Sequence, residues 1–203
     1  MILLSLAMAS PGLRQPARRS TDTPRRAIGH DRAGDVDGTS RILVAVTSPP
    51  TVFDRLTALL DAAHVPYAVT RHAPVRTSEE AAAVRGTPFE SGAKALVCKA
   101  GERFVLLVMP ADRRLDSAAA RRLLGASGLR FATQDEVAAL TGLEPGAIPP
   151  FGQLFGLPTH CDERLAALPT INFNAGDRAI SIAMAAADYV AVERPRLGRL
   201  TRE

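Results

Sequence analysis

The stretch AKALVCKAGERFVLLVM, residues 93–109, decides the fold. Ala93 to Lys99 and Arg103 to Met109 are two apolar, β-rich runs. Between them, Ala100-Gly101-Glu102 carries turn chemistry, so the stretch reads as a β-hairpin. Working outward toward the N-terminus, Thr77-Ser78-Glu79-Glu80 has the form of a capping box that opens a helix, and Gly86 stops it. Tyr67 to Thr70 reads as a short strand. Val52, Leu56, Leu59, Leu60 and Ala63 recur at helical spacing until Val65-Pro66. Toward the C-terminus, Asp116 caps a helix that ends at Gly125, and Leu129 to Phe131 is a short strand. Thr133 to Glu136 is a second capping box, whose helix closes at Thr141-Gly142. Leu157 to Cys161, Thr170 to Asn174 and Ala179 to Ile182 look like strands, with Asp162-Glu163-Arg164 opening a turn or short helix. This order predicts an α/β (α+β) domain, a mixed β-sheet flanked by helices.

Composition narrows what such a domain does. The chain has 203 residues, with 46% hydrophobic and 23% charged, enough for a packed core. It has no Trp, 2 Tyr and 7 Phe, so a platform of stacked aromatics for single-stranded RNA is not expected. The net charge of +4 is unevenly placed. Residues 1–41 hold seven Arg and four Asp, residues 193–203 hold four Arg and two Glu, and residues 42–192 hold 14 basic and 15 acidic side chains. The basic excess therefore sits at the two ends. The expected organisation is an Arg/Pro-rich disordered leader over 1–45, one domain over 46–192 and a basic tail over 193–203. The apolar start, Met1 to Ala9, lacks a preceding positive charge and reads as a poor export signal. No apolar run approaches the ~20 residues that cross a bilayer. Two cysteines, Cys98 and Cys161, make no disulfide framework, and a reducing cytoplasm is the expected setting.

Familiar chemical motifs are absent: there is no GxSxG elbow, Walker A loop, HExxH or dinucleotide GxGxxG, and no Cys/His metal spacing. His160-Cys161 is not a nucleophile pair, because neighbours in a strand point to opposite faces; Cys161 and Cys98 read as core. Lys94 draws attention. Ala93, Ala95 and Val97 face one side of their strand and Lys94, Leu96 and Cys98 the other. A lysine among core residues meets an anion, lines a wet pocket, or snorkels to water from the strand end. Lys99 beside the turn reads as solvated. The loop Gly146-Ala147-Ile148-Pro149-Pro150, continuing through Phe151-Gly152, is stiffened by prolines and freed at a glycine. It is either a rigid corner or a frame that aims backbone groups at a small ligand. Asn172 to Arg178, with Asn174 and Asp177, is a turn rich in Asx residues.

Taken in order, Thr77-Ser78-Glu79-Glu80, Gly92-Ala93-Lys94-Ala95-Leu96-Val97, Asp116 with Leu123-Leu124-Gly125, the loop to Pro150-Phe151-Gly152, Asp162-Glu163 and Asn174-Ala175-Gly176-Asp177-Arg178 resemble the YbaK/prolyl-tRNA-synthetase-associated domain family. The resemblance covers residues 50–192. It implies an aminoacyl-tRNA deacylase that hydrolyses the ester of a mischarged tRNA in trans, with an aminoacyl-tRNA synthetase as a possible partner and no metal or organic cofactor. It implies that Lys94 is the essential lysine and that Gly146 to Pro150 is the family's G-x-x-x-P loop. Lys94 and Gly146 are then the expected catalytic positions. Ala147, Ile148, Pro149, Pro150, Phe151, Gly152, Asn174 and Asp177 are the expected substrate-binding ones. Some relatives carry His near the position of Asn174, so an imidazole role does not transfer. The alternative reading is a catalytically inactive module of the same fold that binds a nucleotide, tRNA or protein partner. The two differ in whether Lys94 and the Gly146–Pro150 loop converge on one cleft. A thiol enzyme using Cys161 is the third reading.

Overall fold

The computed structural model describes residues 48–202; the leader expected over 1–45 lies outside them. Helix α1 (Val52–Ala62) starts on a closed capping box. Thr51 accepts from the Asp54 amide, and the Asp54 carboxylate accepts from the Thr51 amide. Strand β1 (Tyr67–Arg71), helix α2 (Ser78–Arg85) and one 3-10 turn (Phe89–Ser91) lead into the hairpin of β2 (Ala93–Ala100) and β3 (Arg103–Pro110). The register pairs Ala93 with Pro110 and Ala100 with Arg103, so the turn is the one the sequence indicates. Then follow α3 (Ser117–Leu124), β4 (Leu129–Phe131), α4 (Gln134–Thr141), a second 3-10 turn (Gly152–Phe155), β5 (Thr159–Asp162), α5 (Glu163–Ala166), β6 (Thr170–Asn174), β7 (Ile180–Ala185), α6 (Ala186–Glu193) and β8 (Arg196–Gly198).

The strands form two sheets rather than one. The five-stranded sheet, in order β4-β2-β3-β5-β8, is mixed: β2 pairs antiparallel with β3 and β4, while β5 runs parallel to β3 and β8. The three-stranded sheet, β1-β7-β6, is antiparallel. Among the described residues one bridge joins them, between Gly92 and Asn172. A side chain at position 92 would bring its Cβ to 2.8 Å from the Ala111 Cβ, so the seam closes only around glycine.

Alternation along β2 builds two cores. Ala93 and Val97 face the larger one, with Leu56, Leu60, Leu106, Val108, Phe151, Phe173, Ile182 and Tyr189. Its aromatic centre is Phe151, edge-on to Phe173 at 5.7 Å and to Tyr189 at 5.3 Å. Cys98 and Ala100 face the smaller core beneath α3, with Val105, Leu107, Ala120, Leu124 and Leu200. Leu200, within the segment expected as a basic tail, is fully buried. Residues 196–198 form β8 on the edge of the mixed sheet. Buried Asp162 holds the chain beyond it, accepting from the Leu200 amide at 2.8 Å and the Thr201 hydroxyl at 2.9 Å. The charge excess of the segment hides the apolar residue that anchors it.

Candidate active site

Where the two sheets meet, a cavity of about 190 Å³ opens between α2, the first half of β2 and the end of β6. Thr77, Ser78, Ala81 and Arg85 line it from α2, Gly92 to Leu96 from β2, and Asn172 to Asn174 from β6. Gly146 and Ile148 come from the proline-rich loop. Lys94 and Gly146 therefore share one cavity, which is the convergence on which the enzymatic reading depends.

Lys94 stands two residues past the seam, and its side chain is only half-buried. Its ammonium donates to the Arg113 carbonyl at 2.9 Å and the Ala111 carbonyl at 3.4 Å, both on the chain leaving β3. An ammonium has three N–H donors, so this anchoring leaves one for a ligand. Burial pulls its pKa below the usual lysine range, Glu79 and Asp112 act to raise it, and Arg114 adds to the depression.

Gly146 sits at φ +91°, a backbone conformation that glycine adopts without a steric penalty. Its carbonyl accepts from the Asn174 side-chain amide at 2.7 Å. The Asn174 carbonyl oxygen in turn accepts from the Arg85 guanidinium and from the Ser181 hydroxyl at 3.3 Å. The Arg85 Nε donates to Ser181 at 2.8 Å. His72 Nε2 lies 2.7 Å from the same hydroxyl, with Nδ1 2.8 Å from the Ala73 carbonyl. A chain of hydrogen bonds thus runs from His72 through Ser181, Arg85 and Asn174 to the Gly146 carbonyl. Arg85 is half-buried, and desolvation lowers its pKa. The polar groups it meets here are neutral.

Among the described residues, three cations, Arg76, Arg85 and Lys94, line the cavity, and no Asp or Glu does. Such a pocket favours a negatively charged group, whether resident on a ligand or developing during reaction. Among the described residues, no group of three or more His, Cys, Asp or Glu is placed to hold a metal ion.

Of the residues expected in substrate binding, Ile148 and Asn174 line the cavity; the rest of the loop does not. The Ala147 carbonyl accepts from the Gly176 amide at 2.9 Å, and the Pro150 carbonyl from the buried Tyr189 hydroxyl at 3.1 Å. Pro149 is buried. Phe151 is fully enclosed in the main core, and the Gly152 amide donates to Thr159 at 3.1 Å. Asp177 is exposed and closes its own turn onto the Ala179 amide at 2.7 Å. The loop is thus a braced corner from which Gly146 and Ile148 reach the cavity. The prolines that stiffen it do so from behind. Arg85, Ser181 and His72 carry no signal in the sequence. A basic residue in the last turn of a helix reads as a complement to the helix dipole, and the partners lie about 90 residues or more further on. The thiol reading is overturned: Cys161 is fully buried, and desolvation, aided by Asp162, pushes its pKa up to about 12.

Fold and cavity together define a small α+β domain with a cation-lined pocket bounded by backbone carbonyls. The chain belongs to the aminoacyl-tRNA editing domain family, whose sequence pattern matches residues 72–192. It is 35% identical over 153 residues to the multifunctional Ser/Thr-tRNA deacylase ProXp-y of Escherichia coli strain K12, covering 73% of this chain and 92% of that one. It is 39% identical over 82 residues to a proline–tRNA ligase of Bacillus licheniformis; the match covers 40% of this chain and 14% of the ligase. A solved structure of a candidate trans-editing enzyme for prolyl tRNA synthetase superposes with a TM-score of 0.66 at 27% identity, covering 77% of this chain and all of that one.

Proposed function

We propose that the protein is an aminoacyl-tRNA deacylase that clears mischarged tRNA in trans, in translation quality control. The observation that carries this reading is the shared cavity. Lys94 and Gly146, whose carbonyl accepts from the Asn174 side chain, border one space. An aminoacyl ester is already activated, so its hydrolysis asks for positioning and charge stabilisation more than for a strong nucleophile. Water adds to the ester carbonyl carbon, and the carbonyl oxygen takes up negative charge. The bond to the ribose oxygen then breaks, a proton passes to that oxygen, and free amino acid and uncharged tRNA leave. The free N–H of Lys94 serves the developing oxyanion or the terminal nucleotide. The Gly146 carbonyl accepts from the substrate's α-ammonium or from the attacking water. The neighbouring ribose hydroxyl of the substrate shares the proton transfer.

The Ser/Thr-tRNA deacylase similarity makes seryl and threonyl esters the first to test, ahead of alanyl and cysteinyl ones. A synthetase is the partner this role calls for, and the cytoplasm, where charged tRNA is used, is its setting. Two buried, unpaired cysteines suit that compartment. No helix among the described residues is long and apolar enough to cross a membrane.

The test is release of labelled amino acid from a panel of mischarged tRNAs. Wild-type protein hydrolyses at least one member, and Lys94→Ala lowers kcat/KM about 100-fold or more while the thermal midpoint holds. Hydrolysis unaffected by Lys94→Ala refutes the role of the ammonium. Retained tRNA binding with no hydrolysis of any ester makes the domain a binding module.

A further inference from the structure

Beside the candidate active site lies a second, more open groove of about 380 Å³. It shares Lys94 and Leu96 with the first cavity. Its other walls are Met109, Leu115, Ser117, Phe131, Arg114 and Arg202. Three properties set it apart. Phe131, at the end of the edge strand β4, is 60% exposed, more than any other large apolar side chain among the described residues. Arg114 and Arg202 are exposed. Among the described residues no carboxylate lines the groove; Asp116 on the adjoining turn accepts from the α3 amides of Ala118 and Ala119 at 3.0 Å each and also feels the charge of Arg202.

An exposed ring flanked by guanidinium groups is the minimal platform for unpaired nucleotides: the ring stacks a base and the cations neutralise phosphates. We infer that this groove binds the unpaired 3′ nucleotides of the RNA whose terminal ester enters the cavity beyond Lys94, with Phe131 stacking a base and Arg114 and Arg202 contacting phosphates. This rests on the deacylase reading for the nature of the occupant. The geometry adds the direction of approach, because the groove and the cavity share Lys94 and Leu96 in their walls. It also reconciles a near-neutral domain body with a polyanionic substrate. The cations needed are few, and among the described residues no carboxylate lines the groove that gathers them.

The experiment uses full-length protein and two readouts. One is anisotropy of a fluorescein-labelled acceptor-stem hairpin with an unpaired 3′ end, across a salt series. The other is steady-state deacylation. Phe131→Ala weakens hairpin binding roughly tenfold and raises KM with kcat nearly unchanged, and Phe131→Tyr restores both. The double variant Arg114→Gln/Arg202→Gln weakens binding and flattens the log–log salt slope by roughly 0.7 per arginine. If wild type hydrolyses the ester while all variants bind and turn over as wild type does, the groove assignment fails alone. The same holds if Phe131→Ala lowers kcat at constant KM. If the hairpin binds through Phe131 but no ester is cleaved, the groove stands and the hydrolase falls. Wild type that neither binds nor cleaves overturns both.

Discussion

Gly146 concentrates the problem the site solves. Its backbone sits at φ +91° and its carbonyl accepts from the Asn174 amide; under the proposed role the carbonyl's second lone pair takes a substrate donor. Replacement by alanine meets no severe clash, since the new Cβ lies 3.5 Å from the nearest side-chain atom, the Arg178 Nε. The cost is therefore conformational. Gly146→Ala is expected to destabilise by about 1–3 kcal/mol, read by urea unfolding, and to lower kcat/KM by more than that loss of fold explains at temperatures where the variant is fully native. Lys94 is the complementary case. A lysine in an apolar strand is tolerated because two backbone carbonyls receive its ammonium. The strand pattern exposed the anomaly in the sequence; the acceptors, 17 and 19 residues away, were beyond it.

At the scale of elements, helix starts repeat a local device with different outcomes. At α4 the box closes: Thr133 accepts from the Glu136 amide, and Glu136 accepts from the Thr133 amide while pairing through both oxygens with Arg130 at 2.7 Å. At α2 only half of it forms. Thr77 accepts from the Glu80 amide, but Glu80 turns to the Arg76 amide at 2.8 Å. Thr133→Ala is expected to cost about 1 kcal/mol by denaturant unfolding. Arg130 and the Thr133 amide hold the Glu136 carboxyl at about 2, against 4.5 for the free side chain. A depressed folded-state pKa contributes stability above the unfolded value and loses it as pH falls through the folded one. The stability gap between wild type and Glu136→Gln is thus expected to be constant above about pH 5. It should close between there and pH 2, and added salt should shrink it at neutral pH. A gap that widens on acidification contradicts the pairing. Helix α6 had no such device: Ala185 caps it with no side-chain bond, so the run after β7 carried no start signal.

Residues 48–202 are built on two sheets that share a seam, and the seam is where the candidate site lies. Position 92 permits the approach, β2 delivers Lys94 two residues later, and β6 delivers Asn174 two residues after its bridge partner Asn172. The far edge is secured by the last residues of the chain. Leu200→Ala removes a fully buried side chain from the core under α3 and is expected to cost about 2–5 kcal/mol, measured by urea unfolding. Solvent-exposed behaviour of that segment, with no loss of stability, would mean that β8 does not hold the sheet.

Periodicity and caps specified most elements from local information alone: the 93–109 hairpin, the helices opened at Thr51, Thr77, Asp116 and Thr133, and strands β1, β4 and β6. These depend on residues within a few positions of one another, and so does the conformational freedom of Gly146. Which side chains meet is a different matter. Arg85, Ser181, Asn174 and Gly146 lie in four separate segments, and only the pairing of β6 with β7 and the packing of α2 on them bring these polar groups within hydrogen-bond reach. The same long-range closure turned Phe151 into core, Asp177 into a turn cap and a basic tail into a strand, because burial is a property of the assembled surface rather than of the residues that form it.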